Sequence, residues 1–558
     1  MAMNAITVRQ WWWLILGCAV LLRLPVFLFP YVNIDENEYA FAARILLAGG
    51  LPYRDFLIYQ PPVIYYLYAF ASWAFGTTQL WAPHLLVMGI VCATTAVLRS
   101  IGDLVYGRSA GLWTAACYAV FSTTFLPMDM LGANCEVVLM LPLAGALWWC
   151  VRASGSLRAR AGRAVLAGAC CGIAVLTKYP AAVFLPPLAG YLAWRETGWR
   201  RRALLGGSVV AGALGVVGVA AAALAAAGVW SETVAAASYI FRYAKGPPQS
   251  DAAYVALKFV VRTAMIALAA ALLWWAALCA AIARPAADPI RRLFLACLVA
   301  GCAAVLAGGR IYFHYYYFLL PPLCLLAGAS LGGAFGKGWT AWPRGARAAW
   351  AAWTAACVAM AIGLSVTRYL QRGNLTPAEW RPVAEYLAAA APPGATLFVW
   401  GYCPQLYTVS GLFPATRFST ADYLTGRTPK TAGLEYDPRG MRIPSAWEKV
   451  WADFRDPSAV VMEDTAENIF PRAWDYLLAD FSRRLPDVIV DTAPANYRRY
   501  GRYPLTQFPA LHSLIAREYT KRARINNYDC YFRRSSVADL PAARRAAGAA
   551  RRGDPADL

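Results

Sequence analysis

The stretch Asn33-Ile34-Asp35-Glu36-Asn37-Glu38-Tyr39 decides how this chain is interpreted. It follows an apolar segment, Trp11–Pro30, that is long enough to cross a bilayer as a helix. Three carboxylates within four residues are costly to place beside hydrocarbon, and ionisable residues at membrane spans are usually functional or exposed to water. The stretch therefore indicates chemistry carried out at the surface of a membrane.

The composition is that of a membrane protein. The 558 residues are 59% hydrophobic and 15% charged, with a mean hydropathy of +0.43, and a soluble chain of this kind would aggregate. The first apolar run lacks a small-x-small cleavage site, so we expect it to be an anchor. Fourteen cysteines without a Cys-x-x-Cys pair, and only three histidines, argue against a dedicated zinc site.

The apolar runs predict a polytopic α-helical membrane protein with about eleven transmembrane helices. Two further segments, 37–50 and 62–76, combine aromatic residues with mixed polarity, and we expect them to lie along the outer surface. The predicted spans lie near residues 11–30, 80–98, 109–128, 134–151, 164–178, 180–194, 203–228, 254–283, 293–308, 315–333 and 347–366.

The net charge of +21 is explained by membrane topology better than by nucleic-acid binding. Five connections between spans together hold 16 Lys/Arg against 3 Asp/Glu, whereas the loops 31–60 and 229–252 hold 4 against 6. The positive-inside rule places the basic connections in the cytoplasm. We therefore expect membrane lipids and no nucleic acid as partners, with Asp35 on the outer side.

The composition changes sharply after Thr367. Strand-like runs at Thr396–Trp400 and Asp487–Asp491 alternate with helix-like segments such as Pro377–Ala391, which predicts a small α/β domain outside the cytoplasm. The predicted units are a transmembrane catalytic domain (1–367), an extracytoplasmic α/β domain (368–540) and a disordered tail without apolar periodicity (541–558).

Two cysteines, Cys403 and Cys530, fall in the predicted outer domain. Both would face an oxidising compartment, so a disulfide between them is permitted. The sequence gives no distance between them, and the pairing stays open.

Asp35 and Glu36 are the candidate catalytic residues. A carboxylate close to a low-dielectric surface holds a raised proton affinity and can draw a proton from a hydroxyl. Two acids are weak evidence by themselves, because a pair of solvated loop carboxylates would have the same sequence. The surrounding residues sharpen the interpretation.

From Asp35 the chain has the pattern D-E-x-x-Y-A-x-x-A-x-x-L-L-x-G-G-x-P-Y-x-D, followed by P-P-x-x-Y-Y-L. This pattern, within residues 33–69, resembles the first outer loop of the C-type (GT-C) glycosyltransferases, in the branch of the bacterial dolichyl-phosphate-mannose-protein mannosyltransferases and lipid A aminoarabinose transferases. The resemblance implies a GT-C-like fold and transfer of a sugar, with inversion, from a polyprenyl-phosphate donor to a hydroxyl of an envelope lipid, glycan or protein. It implies Asp35 as the general base and assigns Tyr39 and Asp55 to the acceptor cavity.

The donor phosphate needs cationic ligands. Many relatives have Lys directly before the Pro-Pro pair, where this chain has Gln60, so the contact must come from elsewhere. Arg310 offers fork-like donors suited to a phosphate, although a snorkelling Arg in an aromatic belt would have the same sequence. The resemblance favours Arg310 as a phosphate ligand, with His314 and Tyr316 as weaker companions.

Lys178 stands between two short apolar segments and needs a counter-charge. Binding of the donor phosphate and structural pairing with Glu136 are equally compatible with the sequence. Glu136 is itself either a residue lining the acceptor cavity or a helix N-terminal acid favoured by the macrodipole. The loop 229–252 could close over a lipid-linked donor or be a simple surface loop.

No cofactor is certain from the sequence. Relatives differ in their dependence on metal, and Glu36 could help to hold a divalent ion. Two other classes of protein compete with the enzyme. A secondary transporter would show repeated halves with broken helices, and a non-catalytic polysaccharide-assembly subunit would not need the Asp35 pattern. The expected location is a bacterial cytoplasmic membrane, with the site facing the periplasm.

Overall fold

Helices build the first two thirds of the chain. The computed structural model describes residues 5–28, 33–76, 78–124, 131–245, 252–283, 288–307, 309–335, 338–372, 377–427, 447 and 468–535. Up to residue 372 its α-helices are α1 (Ala5–Arg23), α2 (Pro25–Leu28), α3 (Ile34–Leu47), α4 (Val63–Phe75), α5 (Trp81–Tyr106), α6 (Arg108–Thr124), α7 (Cys135–Val138), α8 (Met140–Val151), α9 (Leu157–Val175), α10 (Leu185–Trp194), α11 (Trp199–Ala226), α12 (Trp230–Lys245), α13 (Ala252–Ala269), α14 (Ala271–Ile282), α15 (Pro289–Leu306), α16 (Leu320–Leu331) and α17 (Arg344–Arg372).

These helices make the chain a multi-pass membrane protein. Each of the eleven predicted spans overlaps helical structure. Helices that are apolar all round face lipid, and Val219 on α11 is accordingly 72% exposed. Within the described ranges, five helices are long and apolar enough to cross a membrane: Thr7–Leu28, Trp81–Tyr106, Trp199–Ala226, Ala252–Ala269 and Pro289–Leu306.

Several predicted spans are broken helices. The segment 134–151 divides at Leu139 into α7 and α8, and 180–194 and 315–333 begin as 3-10 turns at Tyr179–Phe184 and Phe313–Leu319. The prediction of one helix over 254–283 is wrong, because Ala270 (φ −113°, ψ 38°) separates α13 from α14. Irregular backbone at membrane depth is tolerated where it is buried in protein or lines a cavity.

Two glycines bring α9 and α11 into close contact. A Cβ atom added at Gly168 would lie 1.9 Å from the carbonyl oxygen of Val209, and one added at Gly212 would lie 2.1 Å from that of Val165. Small residues allow this approach of backbones between membrane helices. The contact fixes α9, the helix that leads into Lys178.

Helix α3 lies between the membrane helices and the C-terminal part of the chain. We expected segment 37–50 along the outer surface, but residues 36–43 are buried. Arg44 donates hydrogen bonds to the carbonyl oxygens of Tyr407, Gly411 and Leu412 at 2.7–2.9 Å. The ring of Phe41 packs edge-on against Tyr407, with 4.9 Å between centroids. The C-terminal region therefore packs against α3, a contact that the sequence did not predict.

The C-terminal region contains a five-stranded mixed sheet of order β2-β1-β3-β5-β4. Its helices and strands are α18 (Pro377–Ala390), β1 (Thr396–Trp400), α19 (Gln405–Ser410), β2 (Phe413–Pro414), α20 (Asp422–Thr425), α21 (Ala473–Arg483), β3 (Val488–Asp491), α22 (Pro509–Glu518), β4 (Tyr519–Ile525) and β5 (Tyr528–Arg533). Strand β1 pairs in parallel with β2 and β3, and β5 pairs antiparallel with β3 and β4. The α/β prediction, including both expected strands, is confirmed. The predicted tail 541–558 lies outside the described residues.

The hairpin of β4 and β5 was not predicted. Asn526 (φ 47°) and Asn527 (φ 64°) connect the strands with two left-handed residues, as a type I′ turn requires. Strand β5 carries Cys530, which is a buried free thiol, as is Cys403. The structure therefore shows no disulfide between these two residues.

Candidate active site

Asp35 is fixed at the start of α3. Asn33 has an extended backbone (φ −131°, ψ 145°), and its Oδ1 accepts a hydrogen bond from the backbone N–H of Asp35 at 2.9 Å. The helix dipole favours an anion in this first turn. Asp35 is half-buried and lies within electrostatic reach of Cys135, the first residue of α7. The local sequence therefore presents a carboxyl group where α3 meets α7.

Glu36 is engaged within the protein. Its side chain is fully buried, Oε1 accepts a hydrogen bond from the backbone N–H of Ala133 at 2.7 Å, and Oε2 lies 3.1 Å from Nε2 of His84. These contacts tie α3 to α5 and to the segment before α7. The structure thus separates the two carboxylates that the sequence placed side by side.

Tyr39 and Asp55, the predicted acceptor-cavity residues, both pack locally. The Tyr39 hydroxyl lies 3.5 Å from Sγ of Cys135, and its ring meets that of Tyr68 edge-on at 5.4 Å. Asp55 accepts a hydrogen bond from the N–H of Leu51 at 2.7 Å and pairs with Arg54. Burial raises the pKa of Asp55, but the bonds from Arg54 and Leu51 outweigh burial and lower it.

Lys178 and Glu136 form an ion pair, so the structural pairing considered from the sequence is confirmed. Nε2 of His314 lies 3.6 Å from Oε1 of the same glutamate. Nζ of Lys178 lies 4.5 Å from the ring centroid of Tyr315. Two basic side chains and one acid therefore meet where α7, the end of α9 and the 3-10 turn before α16 come together.

Arg310 is buried, with 4% exposure, directly before that 3-10 turn. It lies within electrostatic reach of Tyr315 and of Tyr239 on α12. Tyr316 points elsewhere, because its hydroxyl bonds Oγ1 of Thr263 on α13 at 2.8 Å. The structure therefore groups Arg310, Lys178 and His314 and directs Tyr316 to a helix contact.

The C-terminal region supplies side chains that the sequence did not identify. Tyr402, Asp422 and Tyr423 all lie within electrostatic reach of Glu38 on α3. Asp422 accepts hydrogen bonds from Arg427 at 3.1 Å and from the Tyr500 hydroxyl at 2.8 Å. Burial raises the pKa of Asp422, against the opposing influence of Arg427 and Tyr500.

Aromatic rings join three parts of the chain beside this group. The ring of Tyr239 lies 5.8 Å from that of Tyr59, 5.9 Å from that of Tyr423 and 5.2 Å from that of Phe470. Most of the predicted loop 229–252 is therefore the helix α12, docked on the C-terminal region through Tyr239. The side chains of residues 241–251 lie outside the described set.

An apolar groove of about 460 Å³ lies beside α4. Its lining includes Pro62, Tyr66 and Phe70 around α4, Leu176 after α9, and Ala220 on α11. The carbonyl oxygen of Leu176 accepts a hydrogen bond from the N–H of Val63 at 3.1 Å. Leu176 precedes Lys178 by two residues, and Lys178, His314 and Arg310 are not among the residues that line the groove.

Metal ligands are not clustered in the described part of the chain. No group of three or more His, Cys, Asp or Glu residues there could hold a metal ion. The carboxylate oxygens of Glu36, the residue considered for a divalent ion, already contact Ala133 and His84.

Comparison with known proteins agrees with the fold. Residues 59–230 match the family model of the dolichyl-phosphate-mannose-protein mannosyltransferases. The chain is similar to the crystal structure of ArnT from Cupriavidus metallidurans bound to undecaprenyl phosphate, with 15% identity and a TM-score of 0.54 over 94% of this chain and 98% of that chain. The apo structure of the same enzyme gives 16% identity and a TM-score of 0.54, over 96% of this chain and 100% of that chain.

Among curated proteins, none matches this sequence. The structural likeness at this level of identity concerns the fold, and the family model covers the region from Tyr59, at the end of the first outer loop, to Trp230. Both agree with the resemblance to the C-type glycosyltransferases that residues 33–69 carry.

Proposed function

We propose that this protein transfers one sugar from a polyprenyl-phosphate donor to a hydroxyl of a lipid, glycan or protein of the cell envelope. The observation that carries the proposal is the meeting of Lys178, His314 and Glu136 near Cys135, a residue that also lies within electrostatic reach of Asp35. An apolar groove reaches Leu176, two residues before Lys178. A polyprenyl phosphate has the same arrangement of an apolar chain and an anionic head. The ArnT structure, which contains undecaprenyl phosphate, supports this choice of donor.

The leaving group of the reaction is the polyprenyl phosphate. Arg310 would bind it through its planar fork, which suits phosphate oxygens better than a point charge. Lys178 and His314 would add positive charge beside the developing dianion, since both already lie next to Glu136. Charge placed in advance of the reaction stabilises the transition state without reorganisation. Glu136 holds these two cations in position in this scheme.

Asp35 acts as the general base in this proposal. The dipole of α3 favours a negative charge in the first turn, and the partial exposure of Asp35 leaves it accessible to an acceptor. Asp35 takes the acceptor's hydroxyl proton as the oxygen attacks the anomeric carbon, and direct attack inverts that centre. Glu36 then has a positioning role, because its contacts with Ala133 and His84 fix the start of α3.

The remaining predicted site residues make structural contacts near the proposed active site. Tyr39 packs beneath Asp35 against Cys135, Asp55 closes the loop after α3, and Tyr316 fixes the 3-10 turn to α13. In this proposal the site and the C-terminal region lie outside the cytoplasm of a bacterial cell, and the basic connections between spans support this orientation. Residues 1–367 form the catalytic membrane domain and residues 368–540 the outer domain in this proposal.

The test is donor consumption by the purified protein. Short-chain polyprenyl phosphates carrying radiolabelled sugars would be incubated with the protein and an envelope extract, and free polyprenyl phosphate would be measured. Release of polyprenyl phosphate together with label in the acceptor fraction is expected. The same sugars as nucleotide derivatives serve as the control. Transfer from the nucleotide donor alone would refute the proposal.

A further inference from the structure

Glu38 is a buried carboxyl group that the proposed reaction does not use. It lies on α3 one helical turn after Asp35 and is 7% exposed. Residues three apart on a helix share a face, so both side chains face the same region. Within the described ranges, no hydrogen bond or ion pair reaches the Glu38 carboxyl group. A buried ionised carboxylate without a counter-charge is strongly disfavoured.

The groups around Glu38 favour its neutral form. Glu38 lies within electrostatic reach of Asp35 on α3 and, in the C-terminal region, of Asp422, Tyr423 and Tyr402. Burial raises the pKa of Glu38 well above its usual range, and the charges of Asp35 and Asp422 raise it further.

Two arginines act on the carboxylate of Asp422. Arg427 donates a hydrogen bond to Asp422 at 3.1 Å, and Arg498, whose guanidinium lies 6.0 Å from the ring centroid of Tyr497, is within electrostatic reach of Asp422. Neither arginine makes a hydrogen bond or ion pair with Glu38, as far as the described residues extend.

Asp35 and Glu38 therefore differ in environment despite their common chemistry. Asp35 is half-exposed at the helix N-terminus, where a negative charge is favoured, whereas Glu38 lies beyond the first turn and is buried. Two neighbouring carboxyl groups whose environments separate their proton affinities can take different roles in one reaction. The ionised member is suited to accept a proton and the neutral member to donate a hydrogen bond.

We propose that Glu38 is a further functional residue of this site, a neutral carboxylic acid that donates its O–H to the acceptor's hydroxyl oxygen and so positions that hydroxyl for Asp35. The inference rests on the proposed function. Tyr402 and Tyr423 surround the same position from the C-terminal region, which places the acceptor hydroxyl between α3 and that region.

The step balances with a single proton transfer. The acceptor O–H bond breaks and its proton moves to Asp35, while the oxygen forms a bond to the anomeric carbon. The bond between that carbon and the phosphate oxygen breaks, and the electron pair leaves with the polyprenyl phosphate. Glu38 keeps its own proton throughout.

The experiment compares Glu38→Gln with Glu38→Ala in the purified full-length protein, with Glu379→Gln as a control for an exposed glutamate. Gln is neutral and retains a donor, so kcat and the acceptor KM are expected within about threefold of the parent at neutral pH. Ala removes the donor and is expected to raise the acceptor KM about 2- to 10-fold, with a smaller change in kcat. The parent should lose activity at alkaline pH as Glu38 ionises, and Glu38→Gln should not.

Infrared spectroscopy of the same proteins gives a readout that does not need activity. At neutral pH the spectrum of the parent minus that of Glu38→Gln should contain a protonated-carboxyl C=O band, because other protonated groups such as Asp491 contribute equally to both. The spectrum of the parent minus that of Glu379→Gln should not contain this band. The proposal is overturned if this band does not depend on Glu38, or if Glu38→Gln is as inactive as Asp35→Asn at every pH. A parent that consumes no polyprenyl-phosphate sugar would refute the proposed function, while the infrared band would still decide the state of Glu38.

Discussion

Removing one member of the Lys178–Glu136 pair tests whether this buried contact stabilises the fold, contributes to donor binding, or does both. The side chain of Glu136 is 2% exposed and that of Lys178 is 18% exposed. Breaking a buried pair by deleting one partner costs about 3–5 kcal/mol, because the other charge stays buried. The partial exposure of Lys178 places the expected loss near the lower end, at about 3 kcal/mol.

The assay uses Lys178→Met, Glu136→Gln and the double variant. Each single variant should unfold at a lower temperature in detergent, and the double variant should recover most of the loss, because neither charge is then stranded. Donor affinity gives the second readout. If Lys178 also binds the phosphate, Lys178→Met and the double variant should both bind the donor more weakly.

Additive losses of stability in the double variant would refute the reasoning about the pair. Unchanged donor binding in a well-folded double variant would assign Lys178 to structure alone. Arg483→Met, which changes an arginine whose side chain is 70% exposed on α21, controls for the loss of a positive charge as such.

Three further perturbations test other parts of the account. Arg310→Ala should reduce turnover about 10- to 100-fold by removing a charged hydrogen bond of roughly 1.5–3 kcal/mol. Arg310→Lys should recover only part of the parental turnover. Parental rates for both variants would leave Arg310 without a role in donor binding. Ala220→Trp should block the apolar groove and raise the KM for the donor. Leu214→Trp, on the exposed face of the same helix, is the control and should leave this KM unchanged. Equal effects of the two substitutions would mean that the polyprenyl chain binds elsewhere. Burial raises the pKa of Asp491 to about 7, so the folded state holds this proton more tightly than the unfolded chain, and stability falls as the pH rises from about 4 to 7. Asp491→Asn should therefore stabilise the protein at pH 8 by on the order of 3 kcal/mol and change its stability little at pH 4. Thermal unfolding at both pH values measures this, with the exposed Asp475→Asn as control. A gain in stability that did not depend on pH would contradict the prediction.

The sequence predicts the elements whose signals are local. Apolar length identified the spans, and short β-branched runs identified β1 and β3. The Asn526-Asn527 turn also carried a local signal, since Asn is one of the residues that tolerate the left-handed conformation. Its charged flanking strands, with Lys521, Arg522 and Arg524, hid the hairpin from an interpretation based on hydrophobicity.

Which buried polar groups pair with each other depends on how the elements pack, and local sequence signals reveal it less well than they reveal helices and strands. Lys178 required a counter-charge, and Glu136 was a reasonable candidate because both end apolar segments on the same side. Glu36 was expected near the acceptor, and its contact with His84 could not be anticipated because it depends on how α3 packs against α5. The positions of Asp422 and Tyr423 beside Glu38 likewise follow from the docking of the C-terminal region.

The most direct test of the central claim is the rate of sugar transfer by Asp35→Asn. Asn preserves the size of the side chain and can keep its place at the start of α3, but it cannot take a proton. General base catalysis contributes on the order of 10²–10⁴-fold, so the rate from a synthetic polyprenyl-phosphate donor should fall within that range while the unfolding temperature stays near that of the parent. A rate within about threefold of the parent would contradict the assignment of Asp35 as the base.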